Sequence, residues 1–234
     1  MPKAFNDLMV AEIFIFVTFA FQLIKFCRRK RILTNTRISS ISMLERSNPG
    51  DLIAIKGQIR YKNIIYSPYF KQECIFYYAR EFTKVTKGFA SRRTANEITD
   101  NLRDSNSFLT LTDEGGAIRV KVIGFEHKNF CIHKIKLIKR ESSFLRYLGI
   151  GSKTEKYREE YIIPPSSQTY YVLGTYTNYH NEYIIAGDIF DKDKSIFTSK
   201  TKEAVMREAN TLFLKLSLTC LTFSLTIYFL FGRP

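Results

Sequence analysis

The stretch SFLTLTDEGGAIRVKVIGF, residues 107–125, decides the fold class of this chain. Apolar and polar residues alternate from Phe108 onward and again from Ile118 to Val122, as in strands that bury one face. Between the two runs, Asp113 to Gly116 supplies the residue types that tight turns require. The stretch therefore predicts an antiparallel β-hairpin within a β-rich domain.

Strand-like segments continue on both sides of this hairpin, whereas residues 86–107 are polar and rich in turn formers. We predict that 86–107 is a long exposed excursion from the sheet. The fold class predicted for residues 48–198 is α+β, mostly antiparallel β, with a barrel in the manner of OB folds as one arrangement. The remaining predicted strands are 52–59 with a bend at Gly57, 74–85, 131–138, 160–163, 170–176 and 183–185.

Apolar segments lie at both ends of the chain, at residues 8–26 and 211–231. Each has about the 20 residues that an α-helix needs to cross the ~30 Å hydrocarbon core of a bilayer. Two transmembrane helices are therefore predicted to flank the β-rich domain. The expected layout is a span at 1–27, a basic linker at 28–47, a juxtamembrane helix at 199–210 capped by Ser199 or Thr201, and a span at 211–234.

The chain carries 36 Lys and Arg against 22 Asp and Glu, a net charge of +14, and most of this excess lies between the two apolar segments. Basic residues adjoin the inner end of each segment. The positive-inside rule then predicts a two-pass integral membrane protein with its central domain on the cytosolic side and both termini across the membrane.

The basic residues are also the predicted contact sites. Anionic lipid head groups are the first expected partner, because each basic residue near such a surface contributes about 1 kcal/mol. A protein partner in the membrane and a second copy joined through the helices are further expectations. Nucleic acid is not expected, since tyrosines at strand spacing more often fill a core than stack on bases. The predicted membrane-surface or partner contacts are Arg28, Arg29, Lys30, Arg31, Arg92, Arg93 and Arg103.

Motifs for catalysis, cofactors and metals fail on their spacing. The segment 149–154, GIGSKT, resembles a phosphate-binding loop, but its lysine does not follow a glycine as that loop requires. The three histidines lack metal-ligand spacing, and no CxxC motif occurs. Cys74 and Cys131 are expected to be buried thiols and not a disulfide. We predict no catalytic residue, no cofactor and no metal site.

A family resemblance is carried by segments in one order along the chain: GDLIAIKGQI, SPYFKQECIFYYAREF, FLTLTDEGGAIRVKV and GSKTEKYREEYIIPPSSQTYYVLGTYT. This order, and above all the segment from Tyr157 to Pro165 followed by Tyr171 to Gly174, resembles the GIDE domain, also called BAM for beside a membrane. Ubiquitin ligases of the MULAN type and prokaryotic relatives contain this domain. The resemblance implies a β-rich domain beside two spans and a connection to protein ubiquitination.

The ligases of this family carry a RING finger, in which eight Cys or His residues hold two zinc ions. This sequence contains four Cys and three His, so the residues that would form that finger are missing. The expected function is therefore a membrane-anchored, non-catalytic sensor or adaptor that binds a lipid, a small ligand or a protein through its basic β-rich domain. The alternative is a component of a MULAN-like E3 ubiquitin ligase that acts with a separate RING or transferase subunit.

Overall fold

A computed structural model describes residues 2–87, 94–104, 108–122, 124–141, 153–188 and 190–231. The chain divides into two compact units, which are described separately. One comprises Met1–Ile38 together with Lys200–Pro234, and the other comprises Ser39–Ser199.

The first unit is a pair of long helices, α1 (Pro2–Asn35) and α2 (Lys202–Phe231). Phe213 of α2 stacks on Phe26 of α1 with ring centroids 4.4 Å apart. The hydroxyl of Thr201 accepts a hydrogen bond from the amide of Ala204 at 3.2 Å, which is the side-chain cap predicted for this helix. Residues 28–35 continue α1, and α2 runs without a break from its cap to Phe231.

Among the described residues, no helix combines the length and the apolarity that crossing a membrane requires. The prediction of a two-pass integral membrane protein, with spans at 1–27 and 211–234 and a cytosolic central domain, is therefore wrong. Polar side chains explain the difference. Glu12, Gln22 and Lys25 interrupt the first apolar segment, and Lys215 with several Ser and Thr residues interrupts the second. Polar and charged side chains are costly inside a bilayer.

The second unit is mostly antiparallel β, as the sequence predicts. Short 3₁₀ turns lie at Ile41–Arg46, His127–Asn129 and Lys192–Lys194. The strands of the described residues are β1 (Ile38–Ser39), β2 (Leu52–Arg60), β3 (Ile65–Tyr66), β4 (Glu73–Cys74), β5 (Phe76–Lys87), β6 (Thr94–Asp104), β7 (Phe108–Asp113), β8 (Gly116–Lys121), β9 (Ile132–Glu141), β10 (Lys153–Ile163), β11 (Thr169–Tyr179), β12 (Glu182–Ala186) and β13 (Ile196–Thr198).

Five of these strands close into a barrel in the order β2-β7-β8-β12-β11, with β11 pairing back onto β2. All its pairs are antiparallel except β8 with β12, which is parallel. Inward side chains of alternating strand residues form the apolar core, which includes Ile55, Leu111, Val120, Val172 and Ile185. Closure removes free strand edges from this part of the unit.

The predicted hairpin is confirmed as β7 and β8, in which Asp113 pairs with Gly116 across the turn. Gly116 has φ +145°, a value that side-chain-bearing residues rarely adopt. Gly57, where the sequence predicts a bend, directly precedes Gln58, the residue at which β2 begins to pair with β7. A Cβ at Gly57 would lie 2.6 Å from the carbonyl oxygen of Thr112, so this close strand approach needs glycine.

The other large element is a four-stranded antiparallel sheet in the order β6-β5-β10-β9. It lies in the chain between the barrel strands: β5 and β6 come between β2 and β7, and β9 and β10 between β8 and β11. The prediction that 86–107 is an excursion from the sheet is wrong for 94–104, because β6 pairs with β5 along its length. As an outer strand, β6 has one neighbour and needs no apolar run to form.

Candidate partner-binding surface

One face of the four-stranded sheet collects basic side chains from β9 and β10. Lys134 and Lys136 are two positions apart in β9, as are Lys156 and Arg158 in β10, and a bulge at Ile138 brings Lys139 to the same face. The antiparallel register sets Lys139 opposite Lys156 and Lys136 opposite Arg158. Successive side chains of a strand alternate between faces, so these two pairs and Lys134 project from the same side. The sheet therefore has two adjacent cross-strand pairs of like charge.

Directly opposed like charges destabilise a sheet, by an amount of the order of the ~0.2–1 kcal/mol that a favourable cross-strand pair contributes. Lys136 and Lys139 are exposed and Lys156 is half-buried. Within the described part of the chain, these three lysines form no ion pair. The fold thus tolerates an unfavourable arrangement whose repulsion an anionic ligand would relieve.

Arg158 and Lys134 of this face contact neighbouring side chains. The Nε of Arg158 donates to Glu81 at 3.2 Å, and its guanidinium lies over the ring of Tyr69 at 5.0 Å. The Nζ of Lys134 donates to Oε1 of Gln72 at 2.5 Å. These contacts hold the long side chains against the sheet and keep them on the surface.

Arg103 of β6 belongs to the same side of the sheet. It lies opposite Ala79 of β5, and Ala79 in turn lies opposite Glu160 of β10. The register places acidic residues on this side as well, among them Glu81 and the fully buried Glu160. We call the six cations Arg103, Lys134, Lys136, Lys139, Lys156 and Arg158 the basic face.

Glu160 fixes the loop that borders the basic face. Its two carboxylate oxygens accept hydrogen bonds from the backbone amides of Tyr69 at 2.5 Å and Phe70 at 3.2 Å. The side chain is 0 % exposed, so its charge is used entirely within the fold. This carboxylate therefore positions the Tyr69 backbone, and the ring of Tyr69 lies against Arg158.

The opposite side of the sheet is organised around Glu159. Its carboxylate pairs with Arg80, accepts a hydrogen bond from the hydroxyl of Tyr161 at 3.2 Å and lies 2.7 Å from Nε2 of His133. Burial acts to raise the pKa of Glu159, but the hydrogen bonds and charges of Arg80 and His133 outweigh it and hold the pKa below its ordinary value. Glu159 is thus an ionised, paired anion and a poor proton acceptor.

A small cavity of about 230 Å³ lies beside this cluster and is lined by Tyr78, Arg80, Glu126, His127 and Tyr161. The ring of His127 stacks on that of Tyr78 with centroids 4.1 Å apart. The cavity is smaller than the roughly 300–1,000 Å³ typical of ligand pockets. The ring of His127 packs the turn His127–Asn129 against Tyr78 of β5 and Tyr161 of β10.

Nucleophiles and metal ligands are not assembled in the described residues. No group of three His, Cys, Asp or Glu side chains there lies close enough to hold a metal ion. Cys74 and Cys131 are free thiols. Burial, with the charge of Glu160, raises the pKa of Cys74 to about 11, and burial raises the pKa of Cys131 as well. Neither thiol is activated for nucleophilic attack at neutral pH.

The residues predicted as contact sites are dispersed. Arg28, Arg29, Lys30 and Arg31 lie in α1 of the helical unit, and Arg92 with Arg93 falls outside the described residues. Arg103 alone among the predicted set belongs to the basic face. The five lysines and arginines of β9 and β10 were missed, although the alternation in IHKIKLIK, residues 132–139, carries the signal.

No family model, no curated protein and no solved structure matches this chain.

Proposed function

We propose that the β-rich unit is a non-catalytic adaptor module that recognises an acidic protein through the basic face. The proposal rests on one observation: the register sets basic residues opposite each other twice, Lys139 opposite Lys156 and Lys136 opposite Arg158. Charged surfaces of this kind attract partners of opposite sign and raise association rates.

The barrel supports the module part of the proposal. Numbered in chain order, its strands β2, β7, β8, β11 and β12 follow one another around the barrel as 1-2-3-5-4-1, with strands 3 and 5 parallel. This is the strand order of OB folds, which serve as scaffolds for recognition by strands and loops. The likeness to the GIDE domain stays a prediction, and a separate ligase subunit would be one partner of the required acidic kind.

A protein partner is favoured over a lipid surface because the cations follow two paired strands and are set by register. An extended or folded acidic protein can match such an arrangement position by position. Anionic lipid head groups supply negative charge without a fixed spacing. The basic face is also interrupted by Tyr69 and bordered by the loop that Glu160 holds, which gives it a defined outline.

The test compares two double variants of the full chain. Lys136→Gln with Lys139→Gln removes two members of the basic face. Lys56→Gln with Arg60→Gln removes two exposed cations of β2, and is a control matched in charge and exposure. Binding of fluorescently labelled poly-glutamate is measured by anisotropy at several salt concentrations, with phosphatidylserine vesicles as the lipid comparison.

We expect the first double variant to bind poly-glutamate about tenfold more weakly, since an exposed ion pair contributes up to ~1 kcal/mol and 1.4 kcal/mol corresponds to a factor of ten. The control should change affinity by less than twofold. Equal losses in the two variants would show that total charge alone attracts the polymer. Binding to the vesicles but not to poly-glutamate would replace the acidic protein with a membrane surface as partner.

A further inference from the structure

Strand β9 is an outer strand of the four-stranded sheet and has one partner, β10. In the described part of the chain, no strand pairs with its other edge. A strand of ten residues spans roughly 33 Å, and β9 has a bulge at Ile138, where its register to β10 shifts. The regular part before the bulge presents a row of backbone donors and acceptors along its edge. Natural proteins usually shorten, bend or cover edges of this length.

The side chains of β9 differ between its two faces. Lys134, Lys136 and Lys139 belong to the basic face, whereas Ile135 and Leu137 project to the other side. Ile135 is 52 % exposed and Leu137 is 43 % exposed. Lysines alone would be the usual protection of an edge against pairing. Two large apolar side chains exposed beside the same edge have the opposite effect and favour the addition of a strand.

From this we infer that β9 receives an extended segment of the acidic partner as a fifth strand of the sheet. The inference rests on the proposed function and specifies how the partner is recognised. Acidic residues of the segment lie over Lys134 and Lys136, and apolar residues in alternation with them cover Ile135 and Leu137. Backbone hydrogen bonds supply affinity in this mode of binding, and alternate side chains supply specificity.

The register fixes the length of segment that is needed. From Ile132 to Leu137, the regular part of the strand before the bulge, it covers five steps of about 3.4 Å, or roughly 17 Å, so six residues of alternating acidic and apolar type suffice. A second copy of this chain is a poor occupant. Pairing β9 with β9 would bring the lysines of both copies together on one face, which repeats the like-charge contacts already present with β10.

The experiment uses the full chain and labelled peptides with the repeat Glu-Val over eight residues. In an extended strand, the amides of the Glu residues point to one side and those of the Val residues to the other. One peptide is therefore N-methylated at every Glu and another at every Val, and a third has the same composition in two blocks, EEEEVVVV. Affinities are measured by fluorescence anisotropy.

We expect the unmodified alternating peptide to bind. One methylated peptide should bind with an affinity within about threefold of the unmodified peptide, because its methyl groups lie on the edge away from β9. The other should bind with an affinity at least tenfold lower, because its methyl groups block the edge that pairs with β9. The block peptide should also bind at least tenfold more weakly. Ile135→Ser with Leu137→Ser should reduce binding of the alternating peptide, whereas Ile64→Ser, which changes an isoleucine 48 % exposed in a loop, should not.

Hydrogen exchange of the β9 amides provides a second readout, because those at the outer edge become protected only if a strand is added. Equal binding of all the peptides with no protection of β9 would overturn the inference and leave the proposed function standing. If Lys136→Gln with Lys139→Gln and Lys56→Gln with Arg60→Gln lost poly-glutamate binding equally, the proposed function itself would be contradicted. The two failures are therefore distinguishable.

Discussion

At the scale of single residues, Lys139 tests whether the basic face is arranged at a cost in stability. Lys139 lies opposite Lys156, and Lys139 is exposed. Replacing Lys139 with Gln removes a like-charge contact, so the free energy of unfolding should rise by about 0.2–1 kcal/mol. Urea unfolding at low salt measures this change, and the gain should shrink at 1 M salt because the Debye length falls to ~3 Å.

Lys56→Gln is the control for this measurement, since Lys56 of β2 lies opposite the uncharged Tyr171 of β11. A stability gain of the same size in both variants would mean that the gain comes from lowering net charge. A loss of stability in Lys139→Gln would show that Lys139 and Lys156 do not repel each other in the folded chain.

Glu159 makes stability depend on pH in the acid range. Its pKa in the folded chain lies below the ordinary value of 4.5, because Arg80 and His133 stabilise the carboxylate more than burial opposes it. As pH falls, Glu159 is therefore protonated at a higher pH in the unfolded chain than in the folded chain. The stabilisation is fully present above the ordinary pKa and is lost as pH falls through the lower, folded pKa.

We expect thermal unfolding temperatures of the unaltered chain to fall steeply below about pH 4.5. Glu159→Gln should unfold at a lower temperature at neutral pH and show a shallower decline in acid. Glu182→Gln, which removes an exposed carboxylate paired with Arg119, controls for the loss of one negative charge. A slope in Glu159→Gln as steep as in the unaltered chain would contradict this role for Glu159.

At the scale of elements, the β7–β8 hairpin depends on one carboxylate. Asp113 accepts a hydrogen bond from the amide of Gly115 at 2.7 Å through Oδ1 and from the amide of Ile41 at 2.8 Å through Oδ2. Asp113→Ala leaves both amides without this partner and should lower the free energy of unfolding by about 1–3 kcal/mol. Urea unfolding checks it, with Glu114→Ala in the same turn as the control. Equal losses in both would show that the turn as a whole, and not Asp113, is affected.

The same hairpin shows which elements a sequence specifies. Its alternation and turn residues are local, and they predict β7, β8 and the turn without knowledge of the rest of the chain. Strand β10 was predicted only at 160–163, because KTEKYREE has polar residues on both faces and its strand state depends on pairing with β5 and β9. Strand β6 was missed for the same reason. Outer or two-sided polar strands are set by their neighbours, which a single sequence does not show.

The basic face was missed for a related reason. The lysines of β9 and β10 are unremarkable in a chain with 36 basic residues, and only the register brings them opposite each other. Arg103 was predicted as part of a loop and reaches the same face through β6. Charge composition predicts an anionic partner, whereas the location of the proposed binding surface depends on long-range strand pairing.

At the scale of the whole molecule, the division into two units predicts an independent fold for the β-rich part. The apolar core runs from Ile41 to Phe197, so its residues all lie inside the unit Ser39–Ser199. A domain of this size buries about two thirds of the surface that its unfolded chain exposes, which is enough for cooperative folding without further segments.

A fragment of residues 39–199 should therefore show a β-rich circular dichroism spectrum and a single cooperative thermal transition. Leu111→Ala in this fragment, at a side chain with 0 % exposure, should lower the free energy of unfolding by about 2–5 kcal/mol. Met43→Ala, at a side chain 62 % exposed, is the matched control and should have little effect. A broad, non-cooperative transition would show that the barrel needs the helical segments, because a core that is complete in itself unfolds as one unit.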